Sequence, residues 1–289
     1  MTNLHDEDVF KMTEELKDNK FKFKNKLDLN LSSLIDNKKV LFCDFQQGDV
    51  GNCGLLAALA SMKDRREFLT EIAPSIHRTS NGVVLHFNMF CEGDPIKVQI
   101  DDALPFNEHD RLIFSQSARN DNSYLAALFE KAFVKQVCNK SYDSCEAVTP
   151  YTVYSSFSDS MISYIFWKKE DSKNNFFDVL KSELENKSSV TISVSPHYDS
   201  DPEDKNADGH CLCVMSYSEE HKAVKLYDPS VIAKYSVSSE NLPSSFAATA
   251  DSKKGEAWIT LDRIENRKVC LTALHAKNMY KSYYQSKIR

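Results

Sequence analysis

The chain has 289 residues, of which 42% are apolar and 27% charged, and its formal net charge is −6. This length suffices for one large globular domain or two smaller ones. The acidic balance provides no basic surface for nucleic acid or anionic membranes, and no stretch approaches the ~18 consecutive apolar residues of a membrane-spanning helix. We therefore expect no nucleic-acid partner and no membrane span.

The N-terminal sequence MTNLHDEDVF has neither the basic region nor the apolar region of a secretory signal peptide. The eight cysteines are scattered along the chain, and none forms a Cys-x-x-Cys pair. We therefore expect a cytoplasmic protein whose cysteines are reduced thiols.

The first half of the chain is predicted to be rich in helix. A polar, lysine-rich lead segment covers residues 1–40, with one short helix near 8–16. Apolar residues at helical spacing then predict a helix over 53–69. Runs of β-branched and aromatic residues predict strands at 83–90 and 96–100, separated by a Gly-Asp-Pro turn.

Helical spacing returns over 122–137, where Asn122 is the expected N-cap, and the pattern dissolves around 140–160. We interpret this last stretch as a domain boundary. Beyond it, the pattern predicts one helix at 174–186 and then five strands. The strands are predicted at 190–196, 211–217, 223–228, 257–261 and 268–274.

The stretch FQQGDVGNC, residues 45–53, places a single cysteine at the first turn of a predicted core helix. Unpaired backbone N–H groups and the positive end of the helix dipole favour the thiolate form of Cys53. The preceding glycines let backbone N–H groups approach a reacting carbonyl, which suits an oxyanion hole. Cys53 is therefore a candidate nucleophile, and the alternative is a small apolar residue that begins a core helix.

A nucleophilic cysteine needs a base, and His210 is the histidine for which the sequence predicts an acidic neighbour. His210 precedes the predicted strand CLCVMSY, and Asp228 ends its predicted partner AVKLYD. Counting back from the short turn of this hairpin places Asp228 within about one residue of facing His210. A carboxylate there can orient the imidazole as a catalytic triad requires, and the alternative is a surface His–Asp pair.

The order of elements predicts an α+β fold in three parts. We place a lead segment at 1–40, a helical lobe at 41–157 and a β-rich lobe at 158–289. The nucleophile comes from the helical part and the base from the β-rich part. This division predicts a site in a cleft between two lobes.

Cys211 and Cys213 follow His210 and raise the question of a zinc site. Alternate residues of a strand point to the same face, so the two cysteines share one face and His210 takes the other. We therefore expect no zinc ion at these residues.

The sequence contains the segments QQGDVGNC, DDALP, LFEKAF and DGHCLCV. In that order they resemble four motifs of the calpain family of cysteine proteases, Q-G-x-x-G-[DN]-C, D-D-x-L-P, L-x-E-K-A-[YF] and G-H-A-Y-[ST]-V. The segment KKGEAWITLDRIENRKVCLTAL resembles the one that closes the calpain protease core. The likeness covers roughly residues 40–275.

The resemblance implies an intracellular cysteine endopeptidase with a papain-like, two-lobed core. Such an enzyme hydrolyses protein or peptide substrates and uses no organic cofactor. The resemblance assigns Cys53 as the nucleophile, His210 as the general base and Gln47 as a side-chain donor to the oxyanion. Asp228 falls where calpains place the asparagine that orients the histidine.

The resemblance also raises calcium dependence, because some calpains bind calcium within each lobe of the protease core. Asp44 matches one ligand position, and Asp143 matches another with Asp where Glu is usual. In the second lobe, KKGEAW has Lys in place of an acidic residue, although Glu256 remains. Calcium bound by Asp44 and Asp143 is therefore the cofactor that the resemblance suggests, and calcium independence stays open beside it.

Three departures from the family pattern concern substrate binding. Gly54 follows the nucleophile where calpains usually have Trp, and YDPS stands where they usually have N-P-W-G. The Gly-Gly pair that lets a substrate backbone lie in the groove is absent from SYDSCEAVTPYTVYSS. A catalytically weak or inactive interaction module is therefore the alternative to an active protease. A third possibility is acyl transfer of the transglutaminase type, which also uses Cys, His and Asp, but the segment QGDVGNC disfavours it.

Overall fold

The computed structural model of the chain describes residues 22–25, 45–62, 72–79, 82–117, 124–167, 173–197, 209–230, 255–260 and 267–276. Helices and antiparallel sheets occur together in this part of the chain, which agrees with the predicted α+β class. The helices are α1 (Cys53–Ser61), α2 (Leu125–Gln136), α3 (Pro150–Phe157) and α4 (Lys173–Glu185).

The first seven described strands are β1 (Lys22–Asn25), β2 (Phe45–Gln46), β3 (Ser75–Thr79), β4 (Gly82–Cys91), β5 (Asp94–Asp101), β6 (Ala103–Phe106) and β7 (Gln116–Ser117). The remaining six are β8 (Ile162–Trp167), β9 (Ser189–His197), β10 (His210–Ser218), β11 (Ala223–Tyr227), β12 (Glu256–Thr260) and β13 (Arg267–Leu274).

The strands form two main sheets and two short pairs, and all the pairings are antiparallel. One sheet has the order β3-β4-β5, and the larger one has the order β12-β11-β10-β9-β13-β8. The short pairs are β1-β6 and β2-β7. In the six-stranded sheet, β10 begins at His210, and β11 ends one residue before Asp228.

Two hydrophobic cores accompany these sheets. The first is built from residues between Phe45 and Phe157, joined by Leu274. The second is built from residues between Phe176 and Ala273. Burial of apolar side chains in these two clusters is the main term that holds each sheet against its helices.

Helix α1 packs within the first core and also contacts the six-stranded sheet. Cys53 to Ala60 are all buried, so the helix has no solvent-exposed side over that range. Its larger side chains, such as Leu55 and Leu59, belong to the first core. Cys53, Ala57 and Ala60 instead form a third, small cluster with Cys211, Cys213 and Tyr227 of the six-stranded sheet. These small residues recur at helical spacing, and they let α1 pack closely on β10.

Most of the predicted strands in the described part of the chain agree with observed ones. The predicted Gly-Asp-Pro turn lies one residue earlier, at Glu92 and Gly93, because Pro95 already pairs with Phe90 in β5. Helix α1 ends at Ser61 rather than continuing to 69, and residues 63–71 lie outside the described part. The helix predicted near 8–16 also lies outside it.

Helix α3 was not predicted. The stretch 140–160 is rich in Ser, Tyr and Thr, which obscured its helical spacing. The capping signal is nevertheless present, since the Thr149 hydroxyl accepts a hydrogen bond from the Thr152 N–H and Pro150 begins the helix. Helix α2 begins after Tyr124, while the predicted cap Asn122 lies outside the described residues.

None of the helices in the described part of the chain is both long and apolar enough to cross a bilayer.

Candidate active site

Close backbone packing holds the beginning of α1. A Cβ atom on Gly48 would overlap the carbonyl oxygens of Ile113 and Phe114, and one on Gly54 would overlap the carbonyl oxygen of Val148. No side chain therefore fits at Gly54 unless the backbone moves, which explains why Trp is absent there. The backbone carbonyl of Val148 lies where that side chain would begin.

A buried polar network lies directly before the candidate nucleophile. Asn52 is the N-cap residue of α1, but its side chain makes no capping bond. Its amide instead donates a short hydrogen bond to the carboxyl of Glu130. Ser115 donates its backbone N–H and its hydroxyl to the same carboxyl, at 3.0 and 2.7 Å. Burial raises the pKa of Glu130 to about 7.

Glu130 was missed as a site residue, although a signal for it existed. It is the glutamate of the segment LFEKAF, whose resemblance to a family motif was noted without a reason for the acid. The structure supplies that reason, because the carboxyl ties α2 to the residue that precedes Cys53.

The structure brings His210 and Asp228 together. His210 Nε2 lies 2.7 Å from Asp228 Oδ1, and both side chains are mostly buried. The register near this end of the hairpin pairs Cys213 with Tyr227 and Val214 with Leu226. If this register is extended by one residue pair, Asp228 lies opposite the residue two positions after His210. The predicted offset was about one position.

An irregularity in β10 gives the pair this geometry. The register shifts by one residue between Val214 and Ser216. Without this β-bulge, Asp228 would lie three positions from His210, on the opposite face of the sheet. With the bulge the offset is two, so the two side chains share a face. The sequence contains no evident signal for the bulge.

Ser230 supports the carboxylate of Asp228 and was also missed. Its backbone N–H and its hydroxyl lie 2.8 and 2.7 Å from Asp228 Oδ1. The Asp228 N–H donates to the carbonyl of Gly255 at 2.8 Å. Burial raises the pKa of Asp228. Hydrogen bonds from His210 and Ser230, together with the charge of His210, outweigh burial and lower the pKa below its usual value. Asp228 is therefore held as a carboxylate.

The surroundings of Cys53 and His210 favour the charged form of each side chain. A hydrogen bond from Cys211 favours the thiolate, burial opposes it, and His210 adds a further hydrogen bond and its charge, so the pKa of Cys53 falls to about 5. Burial lowers the pKa of His210, but hydrogen bonds with Asp228 and Cys53 outweigh it and raise that pKa to about 9. Between these values both groups are charged.

The ring orientation follows from these contacts. Because Nε2 of His210 is bonded to Asp228, we infer that Nδ1 is the nitrogen that faces Cys53. The ring is thus held by a carboxylate on one side and a thiol on the other, which is the arrangement of a nucleophile, a base and an orienting acid.

Gln47 lies in the segment that leads to α1 and is fixed against the loop that follows β11. Its backbone N–H donates to the carbonyl of Pro229 at 2.8 Å, and the Tyr227 hydroxyl donates to the carbonyl of Phe45 at 2.6 Å. Within the described part of the chain, the buried side-chain oxygen of Gln47 has no hydrogen-bond partner. The backbone of this segment is therefore fixed beside the loop that carries Asp228, and among the described residues no hydrogen bond to its side-chain oxygen ties the Gln47 amide elsewhere.

Cys211 and Cys213 do share a face, against α1. Although alternation along β10 separates the two cysteines from His210, Cys211 and His210 both act on the Cys53 thiol. His210 reaches the thiol from the end of β10. The described residues contain no group of three or more His, Cys, Asp or Glu side chains that could hold a metal ion.

Of the two predicted calcium ligands, only Asp143 lies in the described part of the chain. Asp44 lies outside the described residues. Asp143 is exposed in a short 3₁₀ turn, Asp143–Cys145. Glu256 is bonded to Lys225, with 2.6 Å between Oε2 and Nζ. The described donors alone do not fit calcium, which requires six to eight oxygen ligands.

Comparison with known proteins decides the family. The family model described as calpain family cysteine protease matches residues 5–235. The chain belongs to the calpain family of cysteine proteases. The resemblance stated from the sequence is thereby confirmed, and it extends over most of the chain.

Several curated calpains are similar to this chain. It is 30% identical to calpain-9 of Mus musculus over 153 residues, which cover 52% of this chain and 21% of that protein. It is 32% identical to calpain-9 of Homo sapiens over 143 residues, covering 49% and 20%. It is 27% identical to calpain-8 of Rattus norvegicus over 183 residues, covering 61% and 25%. The chain thus matches a quarter or less of the length of these relatives.

Proposed function

We propose that this calpain-family chain is a cysteine endopeptidase with Cys53 as nucleophile, His210 as acid and base, and Asp228 as the orienting carboxylate. The observation that carries the proposal is the contact chain from Cys53 through His210 to Asp228. Its charges support the thiolate at neutral pH, which is the nucleophilic form of cysteine.

In the proposed reaction, the Cys53 thiolate attacks a peptide carbonyl carbon, and the electron pair of the C=O bond moves to the oxygen. The Gln47 amide and the Cys53 backbone N–H stabilise that oxyanion. The His210 imidazolium donates its proton to the leaving amine, which leaves an acyl-enzyme. His210 then takes a proton from water, and the hydroxide attacks the carbonyl carbon of the thioester. The C–S bond breaks, the product leaves as a carboxylic acid, and Cys53 is released as thiolate beside the His210 imidazolium.

The two hydrophobic cores support a papain-like, two-lobed arrangement, which we include in the proposal. Cys53 and Gln47 come from the part that builds the first core, and His210 and Asp228 come from the part that builds the second. The cluster of Cys53, Ala57 and Ala60 against β10 would then lie at the contact between lobes. The proposed substrates are proteins or peptides, and the proposed location is the cytoplasm.

A second candidate function is an interaction module without useful activity. The observation that favours it is the carbonyl of Val148 at Gly54, because this backbone takes the place of the Trp usual in calpains. The segment is fixed there by a hydrogen bond of 3.0 Å from the Ala147 N–H to the carbonyl of Gly51. A substrate backbone would therefore meet a different surface beside the nucleophile.

Hydrolysis of casein with and without calcium, compared with the Cys53→Ala variant, separates the two functions. The protease proposal expects cleavage by the wild type that the variant lacks. If the chain is an interaction module, the wild type and the Cys53→Ala variant should show the same background cleavage. Labelling by an activity-based probe for cysteine proteases gives the same decision without a protein substrate, because an inert scaffold takes up no probe at Cys53.

Gln47→Ala is expected to lower kcat by roughly 10²–10³-fold, the usual loss for one oxyanion donor. KM should change little, because the contact forms mainly in the transition state. Steady-state kinetics on one peptide checks this, with Gln46→Ala as the matched control from the adjacent position of β2. A change confined to KM would instead make Gln47 a residue that positions the substrate.

Calcium activation stays a proposal that rests on the family resemblance. If Asp44 is a ligand, Asp44→Ala should raise the calcium concentration needed for half-maximal activity at least about tenfold, since carboxylates are ligands that calcium prefers. Asp49→Ala, which removes an exposed acid in the same segment, is the control. Calorimetric titration that detects no calcium binding to the wild type would remove the calcium proposal.

A further inference from the structure

A second thiol lies against the candidate nucleophile. Cys53 and Cys211 belong to the same buried cluster between α1 and β10, and each thiol shifts the pKa of the other. Ser193 pairs with Cys211 across β9 and β10, and its hydroxyl lies 3.1 Å from Cys211 Sγ. Cys211 is thus held beside Cys53 by contacts on both sides of its sulfur.

The proposed peptide hydrolysis has no step for the sulfur of Cys211. The motif that DGHCLCV resembles has alanine at this position, and a methyl group would also pack beside Ala57 of α1. Besides the hydrogen bond that favours the Cys53 thiolate, the sulfur adds the ability to form a covalent bond with Cys53. Two adjacent thiols, one of them a thiolate, form the arrangement in which an oxidised cysteine is captured as a disulfide.

We propose that Cys53 and Cys211 form a reversible disulfide that switches the site off when hydroperoxides are present. The effect on activity rests on the proposed function, because the disulfide removes the nucleophile of the proposed peptidase. The bond itself does not depend on that function. Its formation needs only the two thiols, a base and the oxidant.

The first step oxidises Cys53. Its thiolate attacks the outer oxygen of a hydroperoxide, an S–O bond forms and the O–O bond breaks. The sulfur loses two electrons, and the departing alkoxide or hydroxide takes the proton of the His210 imidazolium. The products are Cys53 sulfenic acid, neutral His210 and an alcohol or water.

The second step captures the sulfenic acid. His210 accepts the thiol proton of Cys211, whose sulfur attacks the sulfur of Cys53. The S–S bond forms, the S–O bond breaks, and the leaving hydroxide takes the proton back from His210 as water. In sum, two thiols and one hydroperoxide give one disulfide, one alcohol or water, and one further water. A dithiol reductant breaks the disulfide again in two thiol–disulfide exchange steps and restores both thiols.

The geometry suits these steps. The two side chains must rotate to bring the sulfurs from hydrogen-bond contact to the S–S bond length of about 2.05 Å. Cys53 is 8% and Cys211 9% exposed, so both residues are buried and each keeps a small accessible area. The low pKa of Cys53 supplies the thiolate that reacts with hydroperoxides.

The test uses the whole chain, hydrogen peroxide in small excess, and then dithiothreitol. Intact mass and peptide mapping follow the bond, and hydrolysis normalised to each protein's own starting rate follows activity. The variants are Cys211→Ala and Cys211→Ser, the latter keeping a hydrogen-bond donor to Cys53. Cys213→Ala is the matched control from the same cluster and strand, and circular dichroism verifies the fold of each.

In the wild type and in Cys213→Ala, we expect loss of the mass of two hydrogens and a linked peptide pair that contains Cys53 and Cys211. Dithiothreitol should then restore more than about half of the lost activity. In both Cys211 variants no thiol captures the sulfenic acid, so peroxide should oxidise Cys53 on to sulfinic and sulfonic acid, and dithiothreitol should restore less than about a tenth. The expected difference in recovery is therefore at least about fivefold.

Three results would overturn the proposal: wild-type Cys53 found only as sulfinic or sulfonic acid, Cys53 linked to another cysteine, or equal recovery in the Cys211 variants. The thiols of Cys138 and Cys145 are also in contact, so a disulfide found only there counts against it as well. A protein that forms the Cys53–Cys211 bond but never hydrolyses peptides would instead contradict the proposed function alone.

Discussion

Cys53→Ala is expected to lower kcat for peptide hydrolysis on the order of 10⁶-fold, as removal of a nucleophile does in a protease. The reason is that Cys53 is the thiol at the beginning of α1 whose pKa His210 lowers. The fold should persist, because alanine fits the cluster that already contains Ala57 and Ala60. Steady-state hydrolysis and circular dichroism measure the two effects separately.

Cys213→Ala is the control for this prediction. Cys213 is buried in the same cluster but lies farther along β10, so its loss should leave the rate within about threefold of wild type. Wild-type turnover in folded Cys53→Ala would show that the nucleophile is another residue. Equal losses in both variants would indicate damage to the packing of α1 on the sheet.

Asp228→Asn is expected to keep substantial activity and to move the alkaline limit of kcat/KM to lower pH. Asp228 raises the pKa of His210, which reaches about 9 together with the contribution of Cys53. An amide holds the ring but carries no charge, so the imidazolium loses its proton about 1–2 pH units earlier. Activity requires that proton, and therefore the alkaline limb shifts down.

Asp228→Ala should lose far more activity, roughly 10²-fold or more, because His210 Nε2 then loses its 2.7 Å bond to the carboxylate and keeps the longer contact of 3.4 Å with the Ser230 hydroxyl. A pH–rate profile of wild type and both variants on one peptide checks the pair of predictions. An alkaline limb that does not move in Asp228→Asn, or an alanine variant as active as wild type, would show that Asp228 does not act on His210.

The sequence predicted elements well where local physics determines them. The strands that became β4, β5, β10 and β11 show β-branched and aromatic runs around a short turn, and α4 shows clear helical spacing. Helix α1 was harder. It is buried on all sides, so its apolar pattern has no polar face that would mark its end.

The site was less predictable, because its distances depend on contacts far apart in sequence. The segment before Cys53 and the hairpin of His210 and Asp228 could be identified from spacing. The β-bulge between Val214 and Ser216 could not, although it places the pair on one face. Nor could the sequence show that Cys211 reaches Cys53, since strand alternation argues only about faces and not about what packs on them.

The domain boundaries at residues 40 and 157 and the calcium ligands stay predictions. The two cores agree with a division near the second boundary, but a core identifies what packs together and not where one folding unit ends.

The most direct test of the central claim is the pH dependence of alkylation of Cys53 by iodoacetamide, mapped by mass spectrometry. The exposed Cys91 serves as the internal control for reagent and digestion in the same samples. We expect modification of Cys53 to begin with an inflection near pH 5, because its thiolate is stabilised by Cys211 and His210. Modification that begins only near pH 8–9, as for an ordinary thiol, would contradict the thiolate–imidazolium pair and with it the proposed mechanism.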